Sequence, residues 1–371
     1  MSSVFGIINF AGNNVQVSTM QSFRPVAAFS FLGRYRIIDF PVSNMSNSGI
    51  DTIQVYARLK PRSLVEHLGT GRHYNINSKR GSLNVLFAES EDANDIYNTD
   101  IAAYIANLDV IEHMDQEYVV IAPSYMICNV NYRPYLKEHI KSGADITLMY
   151  HATKLAQTKY LNCQCLNLNR QQGVLSYERN RGSVAERNIF MDTYVMKTEL
   201  FLKLVKEASA LSSMYTLADI VNKACSELDV RAYAYEGFLA AITDFPSYYR
   251  SNIDLIDLKN AKKLFSDDWP IYTRTNDSCP TQYFAGSSVK NSVISNGCLI
   301  EGTVENSIIG RGCTVKKGAV IKNSVVNSDV IIGEDTHVEN MVVDKYAQLL
   351  VGKEIVAPAE KPGYVKRGDR L

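Results

Sequence analysis

Gly33-Arg34-Tyr35-Arg36-Ile37-Ile38-Asp39-Phe40-Pro41-Val42-Ser43-Asn44-Met45-Ser46-Asn47-Ser48-Gly49-Ile50 changes its periodicity twice in 18 residues. Gly33 marks a turn, and Arg34 and Arg36 set two guanidiniums close together. Ile37-Ile38 is a short apolar step. Asp39 then suits a helix N-cap, with Pro41 inside the first turn, where a missing N–H costs little. Asn47-Ser48-Gly49 ends the helix, Gly49 taking the left-handed position. Ile50 opens IDTIQVYA, whose apolar, β-branched character predicts a buried strand. This is a helix–strand step of a wound α/β domain, with a basic pair just ahead of it.

The stretch resembles the ADP-glucose pyrophosphorylases, the glucose-1-phosphate adenylyltransferases. Their pattern is G-G-x-[YF]-R-I-I-D-F-x-L-S-N-x-x-N-S-G-I, from which only Leu32 and Val42 depart. The resemblance covers nearly the whole chain. It implies a Rossmann-like α/β nucleotidyltransferase domain over 1–255, a linker over 256–284 and a C-terminal domain over 285–371.

Composition is consistent with that outline. The length, 371 residues, accommodates two cores, and 39 basic residues balance 39 acidic ones. Balanced charge gives no long-range pull toward nucleic acid or an anionic membrane. No run approaches the ~18 apolar residues of a membrane span. MSSVFGIINF lacks a basic start and a cleavage site, so no secretory signal is expected. The seven cysteines are odd in number and scattered, and Cys163-x-Cys165 suits neither a zinc knuckle nor a redox pair. Reduced thiols in a cytoplasm are the expectation.

The family's chemistry fails where it should lie. Val4–Phe10 predicts the first strand, after which a nucleotide-binding domain carries its phosphate-binding glycines. The resemblance sets L-A-G-G-x-G-T-R-L against a loop in which Gly12 alone remains. Arg24 stands at the family's Lys; it is either a phosphate contact or a structural ion pair. Tyr118–Ala122 predicts a buried parallel strand. The family places an Mg²⁺-binding Asp after it, and Ser124 occupies that position. A serine hydroxyl does not replace a carboxylate on a hard cation. Asp244 matches the family's second metal carboxylate, and its other reading is a helix cap. Losing loop and carboxylate together removes several kcal/mol of transition-state stabilisation, or roughly three decades of rate. The resemblance therefore implies no metal cofactor and no catalytic residue.

Other positions are retained in part. Thr99-Asp100 replaces a Gly-Thr of the nucleotide site and brings in a carboxylate. Glu178 and Arg179 lie where the family's Glu and Lys hold the glucose phosphate. Phe190 is expected to fill space the sugar needs. Arg34, Arg36, His67, Arg72 and His73 form a candidate anion site at the corner where the family binds sugar-phosphate effectors, or else an ordinary solvated face.

The tail repeats. Asn291-Ser292-Val293, Asn306-Ser307-Ile308, Asn323-Ser324-Val325 and Asn340-Met341-Val342 follow at spacings of 15, 17 and 17. Val320, Val326, Ile332 and Val338 fall six residues apart. This predicts a hexapeptide-type left-handed parallel β-helix. Its one His, His337, gives no acyltransferase site.

An intact scaffold with a dismantled site resembles the catalysis-deficient members of this family. It implies a regulatory subunit of glycogen synthesis that partners a catalytic ADP-glucose pyrophosphorylase subunit in a hetero- or homo-tetramer. Two alternatives are an enzyme with a remodelled site, using Arg24, Arg179 and Asp244, and a sensor that binds a sugar phosphate or nucleotide.

Overall fold

The computed structural model describes residues 3–77, 79, 81–87 and 99–371. A nine-stranded sheet forms the first core. Its strand Val4–Asn9 lies between Tyr118–Pro123 and Thr52–Ala57, parallel to both. Ser82–Phe87 continues the parallel side, and Arg187–Lys197 runs antiparallel on the other. The central strands are covered on both faces, which is why they read as unbroken apolar runs. Gly6 lies in the first strand, and a Cβ there would sit 2.4 Å from Met45 Sδ. The missing side chain lets helix Asp39–Asn47 press against the sheet.

That helix starts one residue earlier than its sequence suggests. Ile38 already has helical angles (φ −61°, ψ −24°), so Asp39 is not the N-cap but lies inside the first turn. Its carboxylate reaches back to accept the Arg36 N–H at 2.8 Å. At the other end Gly49 adopts φ +79°, and the Ile50 N–H closes on Met45 O at 3.0 Å. The next strand begins at Thr52. Thr99-Asp100 opens two short helices, Asp100–Ala106 and Leu108–Glu112; residues 88–98, just ahead of them, lie outside the described residues. Among the described residues, no helix is long and apolar enough to cross a membrane.

The tail is a left-handed parallel β-helix of three five-stranded sheets. The recurring Asn-Ser pair explains itself. Asn291, Asn306, Asn323 and Asn340 all have positive φ, between 42° and 55°. Asn tolerates this conformation better than other side chains that carry a Cβ. Asn291 Nδ2 donates to Asn306 Oδ1 at 2.9 Å, and Asn306 Nδ2 to Asn323 Oδ1 at 2.7 Å. The serines form a second ladder: the backbone N–H of Ser307 donates to Ser292 Oγ at 3.1 Å and that of Ser324 to Ser307 Oγ at 3.0 Å. Inside, Ile300, Val304, Val315, Ile321, Val326, Ile332 and Val338, contributed by all three sheets, are buried in one cluster; the six-residue spacing names Val320, but that residue is half-buried and its neighbour Ile321 takes the core position.

The two cores meet directly. Ile308, Val325 and Val342 of the β-helix pack into the cluster of the first domain. Gly33, at φ +67°, would place a Cβ 2.9 Å from the Ile309 carbonyl oxygen, so the turn at the head of the motif is also a close domain contact. The segment between the domains is not loose chain. It contains helix Leu258–Leu264, and Trp269 Nε1 donates to Asn44 Oδ1 at 3.0 Å. The first β-helix strand, Gln282–Tyr283, already lies within 256–284.

Candidate functional site

The C-terminal ends of the parallel strands carry two adjoining clefts that share Phe10, Gly12, Asn13, Arg58 and Met214. The first, of about 540 Å³, is lined by the loop after the first strand together with Arg24 and Ser124. The loop commits two of its N–H groups to backbone carbonyls. Val15 N–H turns back to Gly12 O at 3.1 Å, and Gln16 N–H donates to Thr243 O at 2.9 Å. Val15 and Val17 are buried. Apolar side chains drive the loop into the core, where the glycines of the family pattern would leave it open to phosphate.

Arg24 also points elsewhere. Its Nη2 donates to Asp344 Oδ1 of the β-helix at 2.6 Å, with both side chains buried. Asp344 also accepts from Asn327 Nδ2 at 3.1 Å, from the Lys345 backbone at 2.8 Å and from Tyr364 OH at 2.8 Å. Burial alone would raise its pKa, but Arg24 and these donors hold the carboxyl below the usual range. Of the two readings of Arg24, the geometry is that of a structural ion pair.

The metal positions fare no better. Ser124 is buried, and its Oγ has no partner. Asp244 caps helix Phe245–Asp254: its carboxylate accepts the Ser247 N–H at 2.7 Å, and Ser247 Oγ accepts the Asp244 N–H at 3.0 Å. A hydroxyl and a committed capping carboxylate do not fit a hard divalent cation. Among the described residues no group of three or more His, Cys, Asp or Glu is placed to hold a metal ion.

The second cleft, of about 250 Å³, is lined by Asn9, Asp100, Tyr125, Gln164, Arg179, Asp192 and Tyr194, among others. Asp100 bridges two helix starts: its Oδ1 accepts the Ile101 N–H at 2.9 Å and the Leu217 N–H at 3.1 Å, and its Oδ2 accepts Asn9 Nδ2 at 3.1 Å. Asp192 accepts a short hydrogen bond from Tyr125 OH. Burial pushes both carboxyls up to about 6. The expectation for Phe190 is corrected here. Its ring is fully buried against Tyr177 and Tyr194 and does not line the cleft. A bulge between Phe190 and Thr193 re-aims the strand, and Asp192, at φ +44°, faces the cleft instead. Glu178 turns to an ion pair with Arg187, and Arg179 stands exposed at the rim.

The five basic residues of the proposed corner do not form one cluster. Asp39 organises part of it: its Oδ1 accepts His67 Nε2 at 2.6 Å and Tyr74 OH at 2.6 Å. Burial lowers the pKa of both His67 and His73, so neither carries the positive charge expected of it near neutrality. Arg36 donates a short hydrogen bond to Ser63 O. Arg34 lies over Tyr35, on the side of Arg311, and Arg72 is exposed. Lys345, absent from the sequence reading, completes the basic core. Burial, together with Arg36 and Arg24, lowers its pKa to about 7. Its sequence distance from the corner hid it.

The nucleotidyl transferase family model matches residues 19–240, and the GlmU-like C-terminal hexapeptide model matches 281–361. The chain is 29% identical to the glycogen biosynthesis protein GlgD of Bacillus subtilis, over 99% of this chain and 96% of that protein. It is 31% identical to GlgD of Geobacillus stearothermophilus, over 80% and 77%. It is 27% identical to the glucose-1-phosphate adenylyltransferase of Fervidobacterium nodosum, over 92% and 83%. The chain belongs to the nucleotidyl transferase family, in the group shared by the glucose-1-phosphate adenylyltransferases and the GlgD proteins.

Proposed function

We propose that the chain is a non-catalytic, regulatory subunit of glucose-1-phosphate adenylyltransferase in glycogen biosynthesis. It assembles with a catalytic subunit, in a hetero-tetramer, and raises that subunit's activity. The observation that carries this reading is the capture of Arg24 by Asp344, at a position where the family keeps a cation for phosphate. The filled loop, the hydroxyl at Ser124 and the capping role of Asp244 point the same way. Residues so engaged do not supply metal-assisted phosphoryl chemistry, and the subunit needs no metal of its own. A partner that binds only the active conformation of a catalytic subunit shifts its equilibrium by the difference in affinity. The seven cysteines are all free thiols, in keeping with a cytoplasmic location.

The test is ADP-glucose synthesis by this chain alone, by a catalytic subunit alone and by the two co-expressed. No turnover alone and a clear gain in the mixture are expected. Substantial Mg²⁺-dependent turnover by the chain alone would establish the remodelled-enzyme reading instead.

A sensor role is compatible with this reading, and one observation favours it. Arg24 Nε and Nη1 are buried without partners, close to Arg36 and to a Lys345 whose charge its cationic neighbours oppose. An anion there would relieve that crowding. Calorimetry with fructose bisphosphate, glucose 1-phosphate and ATP tests it, and absence of heat with all three counts against it.

A further inference from the structure

We propose that a third cleft, at the opposite end of the sheet from the two described above, binds an amphipathic organic monoanion: an apolar body that carries one acidic group and one hydrogen-bond donor. The inference goes beyond the regulatory reading and does not depend on it. The cleft, of about 660 Å³, is lined by helix Tyr132–Ser142 and by the starts of strands Val4–Asn9 and Thr52–Ala57. Small-molecule sites span roughly 300–1,000 Å³ and are mostly apolar, with a few placed polar groups.

The helix sets two stripes along this cleft. Residues four apart share a helix face. Tyr132, Leu136 and Ile140 therefore make an apolar stripe, about 12 Å long at the helical rise, and Arg133, Lys137 and Lys141 make a basic one beside it. Tyr132 is buried, Leu136 half-buried and Ile140 41% exposed, so the apolar stripe runs out of the core into the open cleft. Val4, Ile50 and Val120 add to its apolar lining.

The three cations are not equivalent. Arg133 Nε donates to Ser48 O at 3.0 Å and Nη2 to Asn47 O at 2.8 Å, which closes the C-terminus of helix Asp39–Asn47. Lys137 has no ion pair among the described residues, and Lys141 has a 3.8 Å contact with Glu138. The acidic group of a ligand belongs at these two lysines. Asp51 also lines the cleft, so a second negative charge meets repulsion there. Exposed ammoniums hold an anion weakly in water. Burial of an apolar body along the stripe supplies the larger share. Gln116 Oε1, on the same lining, is buried without a partner. Such an acceptor carries a desolvation penalty that a ligand N–H or O–H relieves.

The experiment is fluorescence titration of the full chain with anilinonaphthalene sulfonate and with N-phenylnaphthylamine, which has the same rings and N–H but no acidic group. Saturable binding of the sulfonate is expected, roughly tenfold tighter than the neutral compound, the scale of two exposed ion pairs. Inorganic phosphate should not displace it. Lys137→Glu with Lys141→Glu should abolish the preference and leave the neutral compound's affinity as it was. Gln116→Leu should weaken both compounds alike, and Ile140→Glu should remove both. The lysines and Ile140 are exposed, and thermal melts check that their variants fold. Equal affinity for the two compounds, displacement by phosphate, or a preference that survives the double reversal would overturn the inference. So would binding that Gln116→Leu or Ile140→Glu leaves unchanged. The regulatory reading fails separately, on the co-expression assay.

Discussion

Replacing Arg24 by Met separates a structural role from a phosphate role in one measurement. Asp344 has no exposed side-chain surface, and Arg24 has 3%. Removing one partner of such a pair typically costs about 3–5 kcal/mol, because the other charge stays buried. Here Asp344 keeps three donors, from Asn327, Tyr364 and its neighbour's backbone. With Arg24 gone, one of the charges opposing protonation of Lys345 also disappears. The lower end, about 3 kcal/mol, is therefore expected. Trp269, the single tryptophan, sits in the connector and reports urea unfolding by fluorescence. Arg24→Met with Asp344→Asn should recover much of the loss, since no unpaired charge remains. The pH dependence has a definite sign. The Asp344 carboxyl is depressed in the fold, so its contribution is present above the unfolded value of about 3.9 and is lost as pH falls through the folded one. The gap between wild type and Arg24→Met should stay level from neutrality down to mild acid and close only below it. A loss under about 1 kcal/mol, or a double variant no better than the single one, would refute the ion-pair argument.

Three other outcomes follow from the same structure. Asn306→Ala should destabilise the β-helix by about 1–2 kcal/mol in denaturant melts, because Ala is strained at positive φ and the amide ladder breaks; Asn306→Gly should cost clearly less. Asp192→Asn should stabilise the chain above pH 6 but not near pH 4: a carboxyl raised to about 6 is comfortable when protonated and loses stability as pH rises through that value. Melting temperatures across that window check it. Ser124→Asp should not restore ADP-glucose synthesis, because the loop and Arg24 stay committed elsewhere; measurable turnover from that single change would mean the loop is less closed than its hydrogen bonds indicate.

What could be read from the sequence, and what could not, divides by physical range. The β-helix was legible because its coils repeat local requirements: an Asn that tolerates positive φ in all four and a Ser that catches the next coil's N–H in three of them; the six-residue apolar spacing holds at Val326, Ile332 and Val338 but misses at Val320, where the neighbouring Ile321 is the buried residue. The α/β step was legible for the same reason, through Gly33, Gly49 and the apolar run after Ile50. Gly33 carried more than its turn, since the β-helix backbone at Ile309 also needs it bare. The Arg24–Asp344 pair spans 320 residues, and no local pattern marks either member. Lys345 was missed for that reason, and His67 and His73 were overestimated as charges because burial is a property of the fold. The Phe190 error differs in kind. That expectation came from the family resemblance, and the bulge before Thr193 changes which side chains of the strand face the cleft, burying the Phe190 ring. The residue it delivers to the cleft is an Asp in a conformation that favours glycine.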